Sequence, residues 1–187
     1  MCVKINRFIW ICLGLIITVV TSCNKDDDEL LIENVEFLLS SSVISSDSLL
    51  PTKYTCSGES STLPVNWENP PEDVVAYTLI MHHEAPEGIH CYWIVYNIPE
   101  NVSSLLENET GIGSFGANTV NGKNEYAPPC SQGPGEKAYT YTLYALSEEL
   151  EITVPSAKVD FEFVLEEMED IIISTASMIV LYSRQFD

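Results

Sequence analysis

Short runs of β-forming residues, each followed by turn residues, constrain the fold of this chain more than any other feature. The runs are rich in Val, Ile, Thr and Tyr, and they lie at 35–40, 74–81, 93–98, 139–146 and 177–182. In the run 139–146, the odd-numbered residues are Tyr, Tyr, Leu and Ala, and the first two even-numbered residues are Thr. This alternation is expected of a strand with one face in a core. The clearest helical spacing of apolar residues is at 160–171. The sequence therefore predicts a mostly β domain with one or two short helices.

The N-terminal segment predicts export. Lys4 and Arg7 precede the apolar run 8–20, which is shorter than the roughly 20 residues that a membrane span needs and has the size of a signal-peptide core. The run ends in Val-Thr-Ser before Cys23, which resembles the lipobox of bacterial lipoproteins. We therefore expect 1–22 to be a signal peptide and Cys23 to carry a lipid. An ordinary signal peptide and a single membrane anchor are the alternatives.

The segment 23–33 is expected to be an acidic tether between the lipidated cysteine and the domain. Lys25 and the acidic residues 26–29 follow Cys23, and such a run cannot bury enough apolar surface to fold. It also resembles the Lys-acidic export tag of some Gram-negative surface lipoproteins. We expect an outer membrane lipoprotein of a Gram-negative bacterium, exposed on the cell surface through this tag, with a plain linker as the alternative. The folded domain is expected to span 34–187.

The charge of the chain excludes one class of partner. The net charge is −20, and removal of 1–22 takes away two of the eight basic residues and no acidic residue, which leaves −22. Binding to nucleic acid requires a basic surface, so no nucleic-acid partner is expected. An anionic membrane would repel this chain, so the Cys23 lipid is expected to hold it at the membrane.

The cysteines permit one disulfide in the mature chain. Six cysteines are present, but two belong to the signal peptide and Cys23 is expected to be lipidated. Cys56, Cys91 and Cys130 remain. An oxidising compartment allows two of these three to pair, which leaves one thiol over.

All three histidines lie between residues 82 and 90, which suggests a site. If the preceding strand continues, His82 and Glu84 share one face and His83 points to the other. By the same alternation, His90 and Tyr92 share a face. The intervening Pro and Gly would turn the chain, so that the two pairs approach each other.

A series of ordered motifs covers most of the chain, from about residue 37 to residue 184. The motifs are LPTKYTCSG at 50–58, LPVNW at 63–67, EAP at 84–86, WIVYNIP at 93–99, GAN at 116–118, Tyr126 with the PC at 129–130, YAL at 144–146 and YSR at 182–184. In this order and spacing they resemble the phosphatidylethanolamine-binding protein family, in its bacterial Raf-kinase-inhibitor-like branch.

This resemblance implies a mostly β fold, in which two antiparallel β-sheets pack together with short peripheral helices. It also implies a small pocket at one end that holds an anion, such as phosphate or a phospholipid headgroup. Together with the histidine cluster it gives the expected ligand-binding residues: His82, Glu84, Pro86, His90, Tyr92, Tyr126, Lys137 and Tyr139. The resemblance further implies a Cys56–Cys130 disulfide, which would leave Cys91 as a buried thiol.

The chain departs from the family pattern at the pocket. His82 and Glu84 stand where the family has two aspartates, and Tyr92 and Lys137 stand where it has histidines. Lys137 and protonated histidine can still provide positive charge. The leading hypothesis is capture of a small anionic ligand or phospholipid headgroup, with Lys137 as the main charge partner, without catalysis and without a cofactor.

Three other hypotheses remain open. His82, Glu84 and His90 offer two imidazoles and a carboxylate, a ligand set that zinc accepts, which would suit a metal-binding protein or a metal-dependent hydrolase. Eukaryotic relatives bind kinases, so a protein-interaction module of the kinase-inhibitor type is a second possibility, with its protein partner unknown. A pocket that has lost its ligand is the third.

Overall fold

The computed structural model describes residues 35–131 and 135–184, and this part of the chain forms nine strands, one α-helix and two single turns of 3-10 helix. The predicted signal peptide 1–22 and the predicted tether 23–33, with the expected lipidation site Cys23, lie outside the described residues. The strands are β1 Leu38–Ser40, β2 Ser48–Leu49, β3 Val65–Glu68, β4 Ala76–Ala85, β5 Gly88–Pro99, β6 Ser104–Leu105, β7 Ser114–Phe115, β8 Lys137–Leu146 and β9 Ile172–Tyr182. Helix α1 is Phe161–Met168, and the 3-10 turns are Thr52–Tyr54 and Ser156–Lys158.

The described strands form two sheets. The larger sheet has the order β2-β9-β8-β4-β5-β7, and the smaller has the order β1-β3-β6. Neighbouring strands are antiparallel, apart from the parallel pair β2 and β9. The prediction of a mostly β fold with two packed, essentially antiparallel sheets and short peripheral helices is confirmed.

The main core lies between the two sheets. The small sheet contributes Val65 and Trp67, and the alternating positions of β8 contribute Tyr139, Tyr141 and Leu143, all nearly or completely buried. The prediction that 139–146 is a strand with one face in a core is therefore confirmed, because every second side chain of β8 enters this core.

A second core lies on the other face of the large sheet, beneath α1. Val164 and Met168 of the helix pack with Ile80, Ile94 and neighbouring residues of the sheet. Asp160 caps the helix, since its side chain accepts a hydrogen bond from the Phe163 backbone N–H at 3.1 Å. The helix ends at Met168 rather than at residue 171, because the chain must turn before β9 begins at residue 172.

The central strands are longer than the sequence pattern predicts. Strand β4 continues past residue 81 through the histidines to Ala85, and β5 begins at Gly88 rather than at residue 93. Strand β9 begins five residues before the predicted residue 177. The extensions of β4 and β5 carry polar residues, which do not show up as apolar β-forming runs. They place the histidine cluster in a β-hairpin.

The structure contains the Cys56–Cys130 disulfide that the resemblance implies, with the two Cα atoms 5.3 Å apart. It ties the loop after the first 3-10 turn to the loop before β8, and the Cys56 backbone N–H also donates to the Pro129 carbonyl at 3.1 Å. Cys91 is buried as a free thiol. Among residues 35–131 and 135–184, no helix has the length and apolar character of a membrane span.

Candidate functional site

The hairpin between β4 and β5 decides which histidines face the same way. Ala85 pairs with Gly88 across a two-residue connection, so His83 pairs with His90. Paired residues of antiparallel strands project their side chains from the same face of the sheet. Gly88 closes the turn with a φ angle of +136°, a backbone conformation that residues other than glycine rarely adopt. The hairpin therefore brings His83, rather than His82, to the side of His90.

A β-bulge next to the hairpin redirects one tyrosine. Met81 pairs with Trp93, whereas His82 pairs with Cys91, so Tyr92 is an extra residue in β5. A bulge of this kind sets two residues against one and changes the direction of the side chains. The Tyr92 ring lies 5.1 Å from the Tyr139 ring, and Trp93 also enters the core between the sheets. The side chains of the consecutive residues Tyr92 and Trp93 therefore lie on the same side of the sheet.

A cavity of about 150 Å³ lies on this side of the hairpin. Its walls combine two imidazoles, a lysine, a carboxylate and a phenol with the disulfide. They are formed by His83, Ala85, Glu87, His90, Tyr92, Cys130, Ser131 and Lys137. Four of the residues expected from the sequence or the resemblance therefore meet here or form its wall: His90, Tyr92, Lys137 and the disulfide residue Cys130.

The imidazoles of the cavity have different partners. His83 Nδ1 lies 2.8 Å from the Ala138 carbonyl, which can only accept, so Nδ1 carries the proton in this contact. In the neutral ring Nε2 is then an acceptor, and in the protonated ring it becomes a second donor. His90 Nε2 lies 3.5 Å from Glu87 Oε1. This carboxylate is 70% exposed at its side chain, so the ion pair is open to water and weak.

The cavity wall carries an unusual share of the positive charge of this acidic chain. The described residues include five lysines and arginines, at positions 53, 123, 137, 158 and 184. Lys53 lies 2.6 Å from Glu107 and Lys123 lies 3.5 Å from Glu125. Within the described part of the chain, Lys137 takes part in no ion pair. Arg184 Nη1 lies 3.5 Å from Cys130 Sγ, so a second cation stands beside the wall.

His82 and Glu84 lie on the opposite face of the large sheet. The His82 ring packs 6.3 Å from Phe161 of α1, and His82 Nε2 is 3.9 Å from Glu84 Oε1. Burial lowers the pKa of His82, and the Glu84 carboxylate opposes this effect only in part. His82 is therefore best accommodated as a neutral ring under the helix, and the structure does not bring this pair to the cavity.

The remaining expected residues occupy three different places. Tyr139 is buried beneath the cavity, with its ring 5.3 Å from His83. Tyr126 donates a hydrogen bond from its hydroxyl to the Tyr54 carbonyl at 2.8 Å and lines a second, larger cavity. Pro86 is exposed at the hairpin turn. Burial raises the pKa of Tyr92, Tyr126 and Tyr139, so all three phenols stay neutral near physiological pH.

The structure does not assemble the proposed metal ligands. His90 projects from the face opposite to His82 and Glu84, because His90 pairs with His83. Residues 35–131 and 135–184 contain no group of three His, Cys, Asp or Glu side chains placed to hold a metal ion. Cys91 is also unsuited to nucleophilic chemistry, since burial raises the pKa of its thiol to about 12 and the thiolate is the reactive form.

Two stacked sheets, a covering helix and a small cavity beside a hairpin define a two-layer β protein with a compact site at one end. The sequence profile described as phosphatidylethanolamine-binding protein matches residues 40–183. The chain therefore belongs to the phosphatidylethanolamine-binding protein family, as the motifs indicate, and groups with its bacterial branch.

Individual relatives agree with this placement. A UPF0098 protein of Methanothermobacter thermautotrophicus is 33% identical over 141 residues, which cover 72% of this chain and 91% of the relative. A UPF0098 protein of Aquifex aeolicus is 32% identical, over 72% of this chain and 81% of the relative. The crystal structure of a phosphatidylethanolamine-binding protein homolog from Chlamydia trachomatis has a TM-score of 0.69 and 29% identity, covering 81% of this chain and 98% of that chain.

A more distant structure supports the fold alone. YbcL of E. coli superimposes with a TM-score of 0.73 at 22% identity and covers 81% of this chain and 100% of its own.

Proposed function

We propose that this protein is an exported lipoprotein whose domain captures a small anionic ligand or phospholipid headgroup, without catalysis, in the cavity formed by His83, His90, Tyr92 and Lys137. The observation that carries the proposal is the position of Lys137. It lines a cavity together with two imidazoles, in a chain with a net charge of −20.

The chemistry of the wall suits a phosphate or a similar oxyanion. Lys137 provides donors with full charge, and Tyr92 provides a neutral hydroxyl. His83 already uses its Nδ1–H on the Ala138 carbonyl, so it offers a ligand an N–H only when it is protonated, whereas His90 provides one N–H when neutral and two when protonated. Charge-assisted hydrogen bonds of this type are stronger than neutral ones. The partly open mouth, with Glu87 at its rim, would admit a headgroup while its acyl chains stay outside.

Replacement of Lys137 by alanine is expected to weaken binding of phosphoethanolamine by about ten- to hundred-fold, since one charge-assisted bond contributes roughly 1.5–3 kcal/mol. The measurement is isothermal titration calorimetry of the purified mature protein in non-ionic detergent. Lys158→Ala is the matched control, because Lys158 is exposed in the second 3-10 turn and does not line the cavity. The control is expected to bind like the wild type.

The ligand arms of the same titration separate the competing functions. Inorganic phosphate should bind and ethanolamine should not, because the phosphate group provides the recognised charge. Binding of zinc in place of phosphate would favour the metal hypothesis instead. Equal affinity of Lys137→Ala and wild type for phosphoethanolamine would contradict anion capture in this cavity.

The lipid anchor is tested by Cys23→Ala, which should abolish incorporation of radiolabelled palmitate, because the thiol is the attachment atom. The protein should then remain as an uncleaved precursor or leave the membrane fraction. Cys12→Ala changes a cysteine within the apolar run 8–20 and serves as the control, with labelling expected to persist. Unchanged labelling of Cys23→Ala would show that this cysteine is not the lipid attachment site.

A further inference from the structure

A second cavity, of about 270 Å³, has aromatic walls. Trp93 is nearly fully buried, and its ring lies 5.7 Å from Tyr126 in an edge-on arrangement and 6.5 Å from Phe115. Phe115 and Tyr126 are half-buried and line the space with it. These three rings come from β5, from β7 and from the loop after β7, so the fold itself gathers them. The volume suits a group the size of one amino-acid side chain rather than a drug-sized molecule.

The charge at this cavity is opposite to that at the Lys137 cavity. Glu109 and Glu125 line it, and among the described lining residues there is no lysine, arginine or histidine. Lys123 is largely exposed and lies 3.5 Å from Glu125 Oε1. Two carboxylates would repel an oxyanion, so this cavity is unsuited to the ligand proposed for the first one.

Most polar groups around the rings can act as acceptors. Asn124 Nδ2 already donates to the Phe115 carbonyl at 2.7 Å and to the Ser156 carbonyl at 2.9 Å, which leaves the side-chain oxygen. The Tyr126 hydroxyl hydrogen is likewise bonded to the Tyr54 carbonyl. A ligand that enters this space therefore meets oxygen acceptors and ring faces, and the hydroxyls of Ser60, Thr62 and Thr110 can accept or donate.

The carboxylates keep acceptor capacity as well. Glu109 Oε1 accepts the backbone N–H groups of Thr110 at 3.1 Å and Gly111 at 2.9 Å. Glu125 Oε1 accepts from Asn121 Nδ2 at 3.1 Å. Each of these contacts uses Oε1, so the second carboxylate oxygen of each residue can accept hydrogen bonds from a ligand.

From these contacts we infer that the second cavity binds the guanidinium group of a small organic cation. Guanidinium carries five N–H donors and no acceptor, which matches a site of carboxylate, amide and hydroxyl oxygens. Its planar face also stacks on aromatic rings and is attracted by their electron density. An ammonium ion satisfies the charge but lacks a flat face to stack on the rings of Phe115 and Tyr126.

The test compares two ligands that differ in charge but hardly in shape. N-acetyl-arginine amide should bind the purified mature protein at millimolar concentrations, and calorimetry together with intrinsic tryptophan fluorescence measures this binding. N-acetyl-citrulline amide, the neutral analogue, should bind at least ten-fold more weakly. Added salt should weaken the arginine compound, because the carboxylates at the rim are accessible to screening ions.

Variants locate the binding to this cavity. The double variant Glu109→Gln with Glu125→Gln should bind the arginine compound about ten-fold more weakly. Glutamine retains an oxygen that can accept the loop N–H groups, so the loops should keep their conformation. Phe115→Leu should weaken binding about three-fold through loss of one ring face. The matched control is Glu68→Gln, an exposed carboxylate of β3 that does not line the cavity.

The outcomes are decisive in both directions. Selective binding of the arginine compound that falls in the Glu109→Gln and Glu125→Gln protein, with wild-type behaviour of Glu68→Gln, supports the inference. Equal binding of the citrulline compound, unchanged affinity of the double variant, or no binding of the arginine compound overturns it. Phosphoethanolamine affinity should be the same in the double variant and the wild type, so failure here is distinguishable from failure of the anion site.

Discussion

Removal of the Cys56–Cys130 disulfide is expected to lower the free energy of unfolding by roughly 4 kcal/mol. The bond joins residues separated by 74 positions, and in the chain-entropy account a cross-link over so long a loop strongly restricts the unfolded chain. The measurement is urea denaturation of the double variant Cys56→Ser with Cys130→Ser, in which neither sulfur is left as a new free thiol. A loss below about 1 kcal/mol would contradict the entropic account.

Two controls belong to this experiment. The wild-type protein under reducing conditions breaks the same bond without any substitution, so its loss of stability should match that of the double variant. Phosphoethanolamine binding should weaken in both, because Cys130 forms part of the cavity wall beside Lys137. If the two forms differ widely in stability, the serine substitutions themselves, and not the missing bond, cause the effect.

Gly58→Ala is expected to destabilise the protein by about 3 kcal/mol, at the upper end of the usual overpacking range. A Cβ at this position would lie 2.7 Å from the Thr52 carbonyl carbon and 2.9 Å from Lys53 Cα. Both are backbone atoms of the first 3-10 turn, so no side-chain rotation can relieve the contact. The motif glycine at 58 is therefore required by the close approach of two chain segments.

The control for Gly58→Ala is Gly111→Ala. A Cβ at Gly111 would meet only Glu109 Oε1, at 3.4 Å, the end of a side chain that can adjust. This change should leave stability within about 0.5 kcal/mol of the wild type, as for most surface substitutions. Thermal unfolding of both variants provides the comparison. Similar midpoints for the two would show that the loop at 58 relaxes freely.

The overall fold was predictable because its signals are local. Alternation of residue types along the chain predicts strand β8, and apolar residues at helical spacing predict α1. The ordered motifs then give the family, which supplies the arrangement of the sheets. The position of the cavity follows from the same resemblance, and so does the disulfide at its wall.

The face of the sheet from which each histidine projects was not predictable from local signals. Alternation along one strand correctly groups His82 with Glu84, and His90 with Tyr92, but it does not relate one strand to the next. That relation depends on the length of the hairpin connection, and one residue more or less reverses every face. With Ala85 opposite Gly88, His83 becomes the partner of His90, and His82 turns towards α1.

The β-bulge at Tyr92 and the second cavity have no signal in the composition of the sequence. The bulge is a local choice of register between β4 and β5, and it breaks the period of two that a strand normally follows. The second cavity gathers side chains from three loops and two strands, and their proximity depends on how these segments return to the sheet. Tyr126 illustrates the point, because it lies on a family motif yet lines the second cavity and not the first.

The lengths of the strands have a consequence for the behaviour of many copies side by side. The outermost strands of both sheets, β1, β2, β6 and β7, contain only two or three residues, whereas the inner strands of the large sheet, β4, β5, β8 and β9, contain ten to twelve. A long regular edge would offer a row of unpaired backbone groups to a neighbouring molecule, and very short edges deny that template. Edge-to-edge polymerisation through these four outermost strands is therefore disfavoured even when the molecules are crowded in two dimensions, as they would be on the proposed lipid anchor.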